Sequence, residues 1–315
     1  MKRREFIGSL IAAGSLAALQ KAEASPLVKA ASKAGKRRKG GIDDDLIVFI
    51  TDLHTNPDGY QPDKLRRVVK DILAMKPLPR NVIALGDLAY LTGRAEEYAL
   101  LKEIITPIEE AGITLTLGMG NHDRRENFAA AFPEQAARTQ VPGRLVYMVE
   151  TPKADVIVLD SLQQGDDLSK WITPGALNDE QKEWLEKTLA SHGDKPVFVS
   201  THHPIDETGI SKMLVKYPCC RGYIYGHDHR WRRDWLHTGY KSRRIVPTLC
   251  LPSTGHWGDI GYTAFRLEDD RAVAALNEYE YFFPKPAAEG EIRPLQWTMI
   301  EDEYRGATCS FSFKD

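Results

Sequence analysis

Short apolar runs alternate with amphipathic helical stretches along the middle of the chain. Six runs have the length and β-branched content of buried strands, at residues 46–50, 82–85, 113–117, 155–159, 196–200 and 222–225. Helices are predicted after Pro62, over residues 95–105, and between Asn178 as the N-terminal cap and Gly193 as the end. This alternation predicts an α/β domain with largely parallel strand pairing.

The helical pattern stops after Trp231. Residues 235–251 and 262–283 have the pattern of antiparallel hairpins, the second turning at residues 268–270, and the tail over 292–313 contains further strand-like runs. We therefore predict a main domain over residues 45–275 and a β-rich C-terminal extension over residues 276–315.

The N-terminal segment differs from the rest of the chain. Arg3 and Arg4 precede an uncharged stretch over residues 8–19, and Ala22 and Ala24 provide the small residues of a cleavage site. The apolar stretch is shorter than the roughly 20 residues that span a bilayer. The sequence predicts a signal peptide over residues 1–24 that resembles the twin-arginine type, with a general secretory signal as the alternative.

Residues 25–44 lack hydrophobic periodicity and begin with a lysine- and arginine-rich stretch, which predicts a basic linker. With the signal removed, the mature protein is expected in the periplasm or cell envelope, without a transmembrane segment.

Composition narrows the function classes. The chain has 42 Lys+Arg and 44 Asp+Glu, so its formal net charge of −2 provides no overall positive field for a nucleic acid polymer. The 42% hydrophobic content of 315 residues is sufficient for a large core and argues against disorder. The four cysteines are Cys219, Cys220, Cys250 and Cys309, which are too few for a disulfide scaffold and lack the spacing of a structural zinc site.

Polar clusters follow five of the predicted strands at the position where the strand ends. In chain order they contain Asp52 and His54; Asp87; Asn121, His122 and Asp123; His202 and His203; and His227 and His229. Open α/β sheets place their ligand sites at these strand ends, so the side chains are expected to meet in one cavity. Imidazole, carboxylate and amide ligands without thiolates indicate a hydrolytic metal site.

Each cluster alone is a weak signal, since a glycine-aspartate pair is typical of a turn. Together, the order D-x-H, G-D, G-N-H-D, H-x-P and G-H-x-H resembles the calcineurin-like metallophosphoesterases over roughly residues 45–254. The resemblance implies an α/β fold of two sheets in a sandwich flanked by helices. It also implies two divalent or trivalent metal ions, of which Fe, Mn and Zn are the candidates.

The resemblance assigns roles residue by residue. Asp87 would be shared by both ions; one ion would also be held by Asp52, His54 and His229, and the other by Asn121, His202 and His227. The ions would polarise a bridging water to hydroxide for attack on phosphorus. His122 would act as a general acid with Asp123 holding its ring. Strand alternation predicts that His203 and Asp228 point away from the cavity. A structural role is expected for His203, and a position behind the ligands or at the surface for Asp228.

The residues around these clusters, at 86–88, 96–98, 120–124, 132–133 and 177–189, are similar to those of the class III cyclic-nucleotide phosphodiesterases. The resemblance implies a small phosphate ester substrate, with a phosphodiester favoured over a phosphomonoester. Arg124, His256 and Trp257 are the candidate substrate contacts. Two other hypotheses remain open: a catalytically silent metal-binding envelope protein of the same fold, and a structural protein acting through its β-rich tail. The oligomeric state is not indicated by the sequence.

Overall fold

Two six-stranded mixed sheets lie face to face in the computed structural model, which describes residues 41–236, 244–282 and 308–314. The strands are β1 (Ile42–Ile50), β2 (Leu78–Ala84), β3 (Thr114–Leu117), β4 (Tyr147–Val149), β5 (Asp155–Val158), β6 (Val197–Ser200), β7 (Cys220–Tyr225), β8 (Arg232–Leu236), β9 (Val246–Cys250), β10 (Gly258–Leu267), β11 (Arg271–Phe282) and β12 (Thr308–Ser312). The helices are α1 (Gln61–Ala74), α2 (Ala95–Glu110), α3 (Arg125–Ala131), α4 (Pro133–Ala137), α5 (Asp179–Ser191), α6 (Ile205–Thr208) and α7 (Ser211–Lys216).

Both sheets contain parallel and antiparallel strand pairs. The first has the order β12-β11-β10-β1-β2-β3, with parallel pairing from β1 to β3 and antiparallel pairing from β1 to β12. The second has the order β4-β5-β6-β7-β9-β8, with antiparallel pairs only at its two ends. The prediction of largely parallel pairing therefore holds for β1, β2 and β3 in the first sheet and for β5, β6, β7 and β9 in the second. The remaining pairs, which include β10, β11 and β12, are antiparallel.

The core is formed by the two inner sheet faces. Phe198 of β6 packs edge-on against Phe265 of β10 at 4.9 Å between ring centroids and against Phe311 of β12 at 5.5 Å. All three rings are fully buried. The helices cover the outer faces, with α1 against β2 and α2 against β3. The fold predicted from the sequence, a two-sheet sandwich flanked by helices, is thus confirmed.

Several element boundaries differ from the sequence prediction. β1 begins at Ile42, inside the predicted 25–44 linker, because Asp43 pairs with Arg266 at 2.6 Å and Asp44 accepts a hydrogen bond from Arg80 at 2.6 Å. The helix capped by Asn178 is present, since the Asn178 side chain accepts a hydrogen bond from the backbone N–H of Gln181 at 3.3 Å. β4 and the short helices α3, α4, α6 and α7 had not been predicted.

The boundary predicted between residues 275 and 276 falls within β11. β11 pairs with β10 on one side and with β12 on the other, so the described part of the C-terminal extension continues the first sheet. The signal peptide over 1–24, residues 25–40 of the linker and the tail over 283–307 lie outside the described residues. Within the described ranges, we find no helix with both the length and the apolar character that crossing a membrane requires.

Candidate metal centre

The seven predicted metal ligands lie on loops at the carboxyl ends of five strands. β1, β2, β3, β6 and β7 lead into these loops, and their parallel arrangement brings the loops to one edge of the sandwich. His227 is half-buried, and the other six side chains are buried: Asp52, His54, Asp87, Asn121, His202 and His229. Burial of this many polar groups in one place requires partners that satisfy them.

Five of the seven have left-handed backbone conformations. Asp52, His54, Asp87, His227 and His229 have φ between 44° and 70°, and they are the non-glycine residues with positive φ in the described chain. L-residues disfavour this region, so each position stores strain. Strain confined to one set of converging side chains indicates that their orientation is selected for function.

Two glycines allow the loops that carry Asp87 and Asn121 to touch. Gly86 has a φ of 101°, and a Cβ there would lie 2.5 Å from the backbone nitrogen of Gly120. A Cβ on Gly120 would lie 2.2 Å from Oδ1 of Asp87. Any larger residue at either position would separate the two loops.

Asp87 contacts members of both predicted ligand sets. Its Oδ2 lies 3.4 Å from Nε2 of His54 and 3.2 Å from Nε2 of His202, while its Oδ1 accepts the backbone N–H of His122 at 2.9 Å. The two oxygens of Asp52 are divided between the backbone and a histidine in the same way. Its Oδ2 accepts the backbone N–H of His227 at 3.1 Å, and its Oδ1 lies 3.1 Å from Nε2 of His229. Each carboxylate is therefore held by one oxygen and presents the other to the site.

Backbone carbonyls set the orientation of three of the predicted ligand histidines. The Nδ1–H groups of His54, His202 and His229 donate to the carbonyls of Tyr90 at 2.9 Å, Leu85 at 3.0 Å and Trp257 at 3.0 Å, respectively. Each Nε2 is then directed into the site, the arrangement typical of metal-ligating histidines. His227 instead presents Nδ1, which lies 3.2 Å from Nε2 of His202.

The donor set fits cations. Burial and the neighbouring histidines lower the pKa of His54 to about 3, so its Nε2 carries a lone pair that faces an Asp87 oxygen. His54 Nε2 and Asp52 Oδ1 are both buried without a hydrogen-bond partner. Burial lowers the pKa of His202, but the Asp87 and Asp52 carboxylates outweigh it and raise that pKa to about 9. Lone pairs converging in this way are stabilised by positive charge.

His122 lies at the rim of this cluster. Its Nδ1–H donates to the carbonyl of Leu91 at 2.8 Å, and its Nε2 lies 4.0 Å from Oδ2 of Asp87. Its ring contacts that of His54 at 5.1 Å between centroids. His122 is therefore beside the predicted ligands, with one ring nitrogen fixed by the backbone and the other turned to the site.

Comparison with known proteins shows which family has this arrangement of residues. The family model described as calcineurin-like phosphoesterase matches residues 46–231, which contain all seven predicted ligands and His122. The chain belongs to the calcineurin-like phosphoesterase family. Members of this family use a dinuclear metal centre, and this phosphoesterase has histidine and aspartate groups able to bind metal at the corresponding loops.

Curated relatives of this phosphoesterase are named as phosphodiesterases. A probable glycerophosphodiester phosphodiesterase, GpdQ, of Arcobacter nitrofigilis is 29% identical over 230 residues, which cover 66% of this chain and 78% of that protein. The 3',5'-cyclic adenosine monophosphate phosphodiesterase CpdA of Pseudomonas aeruginosa is 28% identical over 206 residues, covering 59% of this chain and 70% of that protein. These relatives support a hydrolase of phosphate esters.

The fold also matches that of a dimetal phosphatase from Danio rerio. The TM-score is 0.58 at 15% sequence identity, and the match covers 73% of this chain and 95% of that structure. At 15% identity this similarity establishes the fold alone. The chemistry of the phosphoesterase is argued from the residues described above.

The predicted role of Asp123 in this phosphoesterase is corrected by the structure. Its carboxylate accepts four hydrogen bonds, from the backbone N–H groups of Leu88, Ala89 and Gly120 and from the hydroxyl of Tyr98. The His122 ring is instead held by Leu91. Burial, with the nearby Asp87 charge, raises the pKa of Asp123 to about 7, against the opposing effect of the backbone N–H groups. Asp123 thus organises the loops that carry Asp87 and Asn121.

The prediction that Arg124 contacts substrate is also corrected. Its buried guanidinium donates to the carbonyls of Thr92 at 3.3 Å, Gly165 at 3.0 Å, Asp167 at 2.9 Å and Lys170 at 3.1 Å. The last three bonds fasten the loop between β5 and α5. Arg124 was predicted to bind substrate because it lies two residues from His122. The sequence does not show which backbone carbonyls its guanidinium contacts, so the internal role was missed.

The other two predicted substrate contacts lie beside the ligands. The His256 ring packs on the His54 ring at 4.2 Å between centroids, and its Nδ1 lies 3.2 Å from the side-chain amide of Gln61. The Trp257 ring packs on His229 at 4.3 Å, in addition to the carbonyl contact described above. Both residues thus support ligand histidines directly.

His203 lies beside the candidate ligands rather than away from them as predicted, with its ring centroid 4.8 Å from that of His202 and 4.9 Å from that of His227. Nδ1 of His203 lies 2.8 Å from the Ser161 hydroxyl, and its Nε2 lies 3.0 Å from the Thr173 carbonyl, so both ring nitrogens are engaged. The Asp228 carboxylate lies 3.4 Å from the Arg230 guanidinium. Sequence analysis missed Trp171, whose ring lies 4.9 Å from that of His122. Its loop has neither periodicity nor a motif that would have marked it.

Proposed function

We propose that this phosphoesterase hydrolyses phosphodiesters with two bound metal ions, drawn from Fe, Mn and Zn. The proposal is carried by the contacts of Asp87 with both His54 and His202, since this places one carboxylate oxygen between the two predicted ligand sets. Asp52 and His229 would complete one set, and Asn121 and His227 the other. When bound, such a metal pair supplies the Lewis acidity that activates water and neutralises phosphoryl charge.

The proton for the departing oxygen is assigned to His122. The Leu91 carbonyl accepts its Nδ1–H, which orients the ring so that Nε2 faces the site and can donate a proton there. Asp123 does not contact the His122 ring. Its carboxylate accepts hydrogen bonds from four donors and so holds the loops that carry Asp87 and Asn121. It is a positioning residue for the ligand loops.

A diester is favoured over a monoester by the charges near His122. A monoester dianion needs more compensating charge than a diester monoanion, yet the two arginines that follow His122 have internal partners. Arg124 is bound to loop carbonyls, and Arg125 pairs with Asp160 at 2.6 Å. The names of the GpdQ and CpdA relatives agree with this preference.

The test is turnover of bis-p-nitrophenyl phosphate and p-nitrophenyl phosphate by purified protein supplied with Mn, Zn or Fe. We expect the diester to be hydrolysed with the higher kcat/KM, and Asp87→Asn to abolish hydrolysis. Asp228→Asn is the matched control, because Asp228 lies between two ligand candidates and faces Arg230. Metal binding without turnover of either ester would instead support the catalytically silent envelope protein.

We further propose that residues 1–24 direct export to the periplasm or cell envelope. The support is the sequence alone: Arg3 and Arg4, the uncharged stretch, and the small residues before Ser25. Replacing Arg3 and Arg4 by lysine is expected to retain the uncleaved precursor in the cytoplasm. Normal export of that variant would favour the general secretory signal.

A further inference from the structure

An apolar patch lies on the loop between β5 and α5. Leu168, Trp171 and Ile172 are 70%, 43% and 39% exposed, and they are three of the five exposed large hydrophobic residues in the described chain. The charged neighbours Asp167 and Lys170 pair with each other at 2.8 Å. A cluster of large apolar side chains in water within five residues is typical of a binding surface.

The loop that carries this patch is firmly held. Arg124 donates to the carbonyls of Gly165, Asp167 and Lys170, as described above. Farther along, the carbonyl of Thr173 lies 3.0 Å from Nε2 of His203, and the backbone N–H of Gly175 donates to Glu207 at 2.6 Å. The apolar side chains are thus presented in a fixed place, which reduces the ordering entropy that binding requires.

The patch is continuous with the candidate metal centre through His122. The indole ring of Trp171 lies 4.9 Å from the His122 ring, at an interplanar angle of 47°. His122 is the proposed proton donor to the departing oxygen. A group attached to that oxygen is consequently within reach of the Trp171 ring.

We propose that Trp171, flanked by Leu168 and Ile172, binds a ring-bearing apolar alcohol that forms the leaving group of the substrate. This inference rests on the proposed phosphodiesterase function. The oxygen of water adds to phosphorus and water gives up one proton to solvent. The P–O bond to the ring-bearing alcohol breaks, the departing oxygen takes the proton from Nε2 of His122, and His122 regains a proton from solvent. A flat ring suits an indole face, since aromatic pairs gain from stacking beyond the apolar area that they bury.

The experiment uses methyl 2-phenylethyl phosphate, whose two ester groups compete as leaving groups within one molecule. The measured quantity is the ratio of 2-phenylethanol to methanol released by the metal-loaded protein, which is independent of enzyme concentration and metal occupancy. We expect Trp171→Ala to lower this ratio by about threefold to tenfold. Trp171→Phe keeps a ring and should retain most of the preference.

Trp235→Ala is the matched control, because Trp235 is 48% exposed and lies on β8. Its release ratio should equal that of the parent. An unchanged ratio in Trp171→Ala would overturn the proposal, whereas failure of the parent to release either alcohol would instead contradict the phosphodiesterase function. Equal dependence on Trp171 for methyl hexyl phosphate would overturn the assignment of a ring.

Binding is measured separately from turnover by acrylamide quenching of tryptophan fluorescence. The difference between parent and Trp171→Phe isolates the Trp171 signal. We expect phenylphosphonate to protect that signal and methylphosphonate to leave it accessible. If phosphatidylcholine vesicles alone protect it and phenylphosphonate does not, the patch is a lipid-docking surface and the proposal is wrong.

Discussion

Replacing Asp123 by asparagine removes one acceptor atom from the junction between two ligand loops. In the parent, Oδ2 receives the N–H groups of Leu88 at 3.2 Å and Gly120 at 2.9 Å. Oδ1 receives the N–H of Ala89 at 3.0 Å and the hydroxyl of Tyr98 at 2.9 Å. An amide NH₂ is a donor, so it has no bond to offer a backbone N–H.

The expected loss follows from the less damaging of the two amide orientations. With NH₂ at the Oδ2 position, the Leu88 and Gly120 N–H groups both lose their acceptor. With NH₂ at the Oδ1 position, the Ala89 N–H loses its acceptor. The Tyr98 hydroxyl, which already accepts the N–H of Arg124 at 2.8 Å, can accept from the amide but loses the acceptor of its own proton unless the hydroxyl finds another. The minimum loss is therefore one orphaned buried N–H, which costs about 1–3 kcal/mol, and we expect the free energy of unfolding to fall by at least that amount.

The assay is urea unfolding of metal-free protein at pH 8.5, where the Asp123 carboxyl is ionised, with extrapolation to zero denaturant. Bound metal is counted in parallel by elemental mass spectrometry, and it should also fall because the loops of Asp87 and Asn121 loosen. The matched control is Asp155→Asn. Asp155 is a buried carboxylate that accepts the N–H of Thr151 at 3.0 Å at the start of β5, so its loss should reduce stability but spare metal content.

Two results would refute this reasoning. One is an Asp123→Asn protein that matches the parent in both unfolding free energy and metal content. The other is a normal metal content combined with slower hydrolysis of alkyl diesters, which is the result expected if Asp123 acted on the His122 ring.

Three further outcomes are expected. Asp87→Ala should retain less metal than Asn121→Ala, because one Asp87 oxygen lies within 3.4 Å of a histidine from each predicted ligand set, whereas Asn121 belongs to one set; equal metal content would contradict the shared role of Asp87. His122→Ala should slow alkyl diesters by about 10²- to 10⁴-fold and p-nitrophenyl diesters far less, since p-nitrophenolate leaves without a proton; equal slowing in steady-state assays would rule out proton donation. Asn178→Ala should lower the unfolding free energy by about 1 kcal/mol through loss of the cap on Gln181, measured by thermal unfolding, without changing kcat.

The positions of the metal-ligand candidates follow from local sequence. Each cluster comes directly after a strand, and the carboxyl ends of parallel strands share one edge of a sheet. The pairs Asp52 with His54 and His227 with His229 lie two residues apart on their loops, which was enough to predict that they converge. Their left-handed backbone was not predictable, because it is enforced by contacts between loops far apart in sequence.

Partners distant in the chain explain the predictions that failed. Asp43 and Asp44 have the character of a linker until Arg266 and Arg80 are brought beside them, and only then does β1 extend back to Ile42. Arg124 likewise bonds carbonyls 41 to 46 residues further along the chain. Every residue carries a backbone carbonyl, so the sequence does not indicate which carbonyls an arginine will bind. The role of Arg124 in holding a loop could therefore not be predicted.

The left-handed backbone at five ligand candidates sets limits on laboratory evolution of this chain. A non-glycine residue in that conformation costs about 1–3 kcal/mol, so glycine is the substitution that a screen for heat tolerance would reward at Asp52, His54, Asp87, His227 or His229. Every such gain would delete a side chain from the metal centre. A library selected on thermal survival alone would therefore drift toward a sturdier and inactive protein, and these five codons need to be held constant while stability is sought elsewhere.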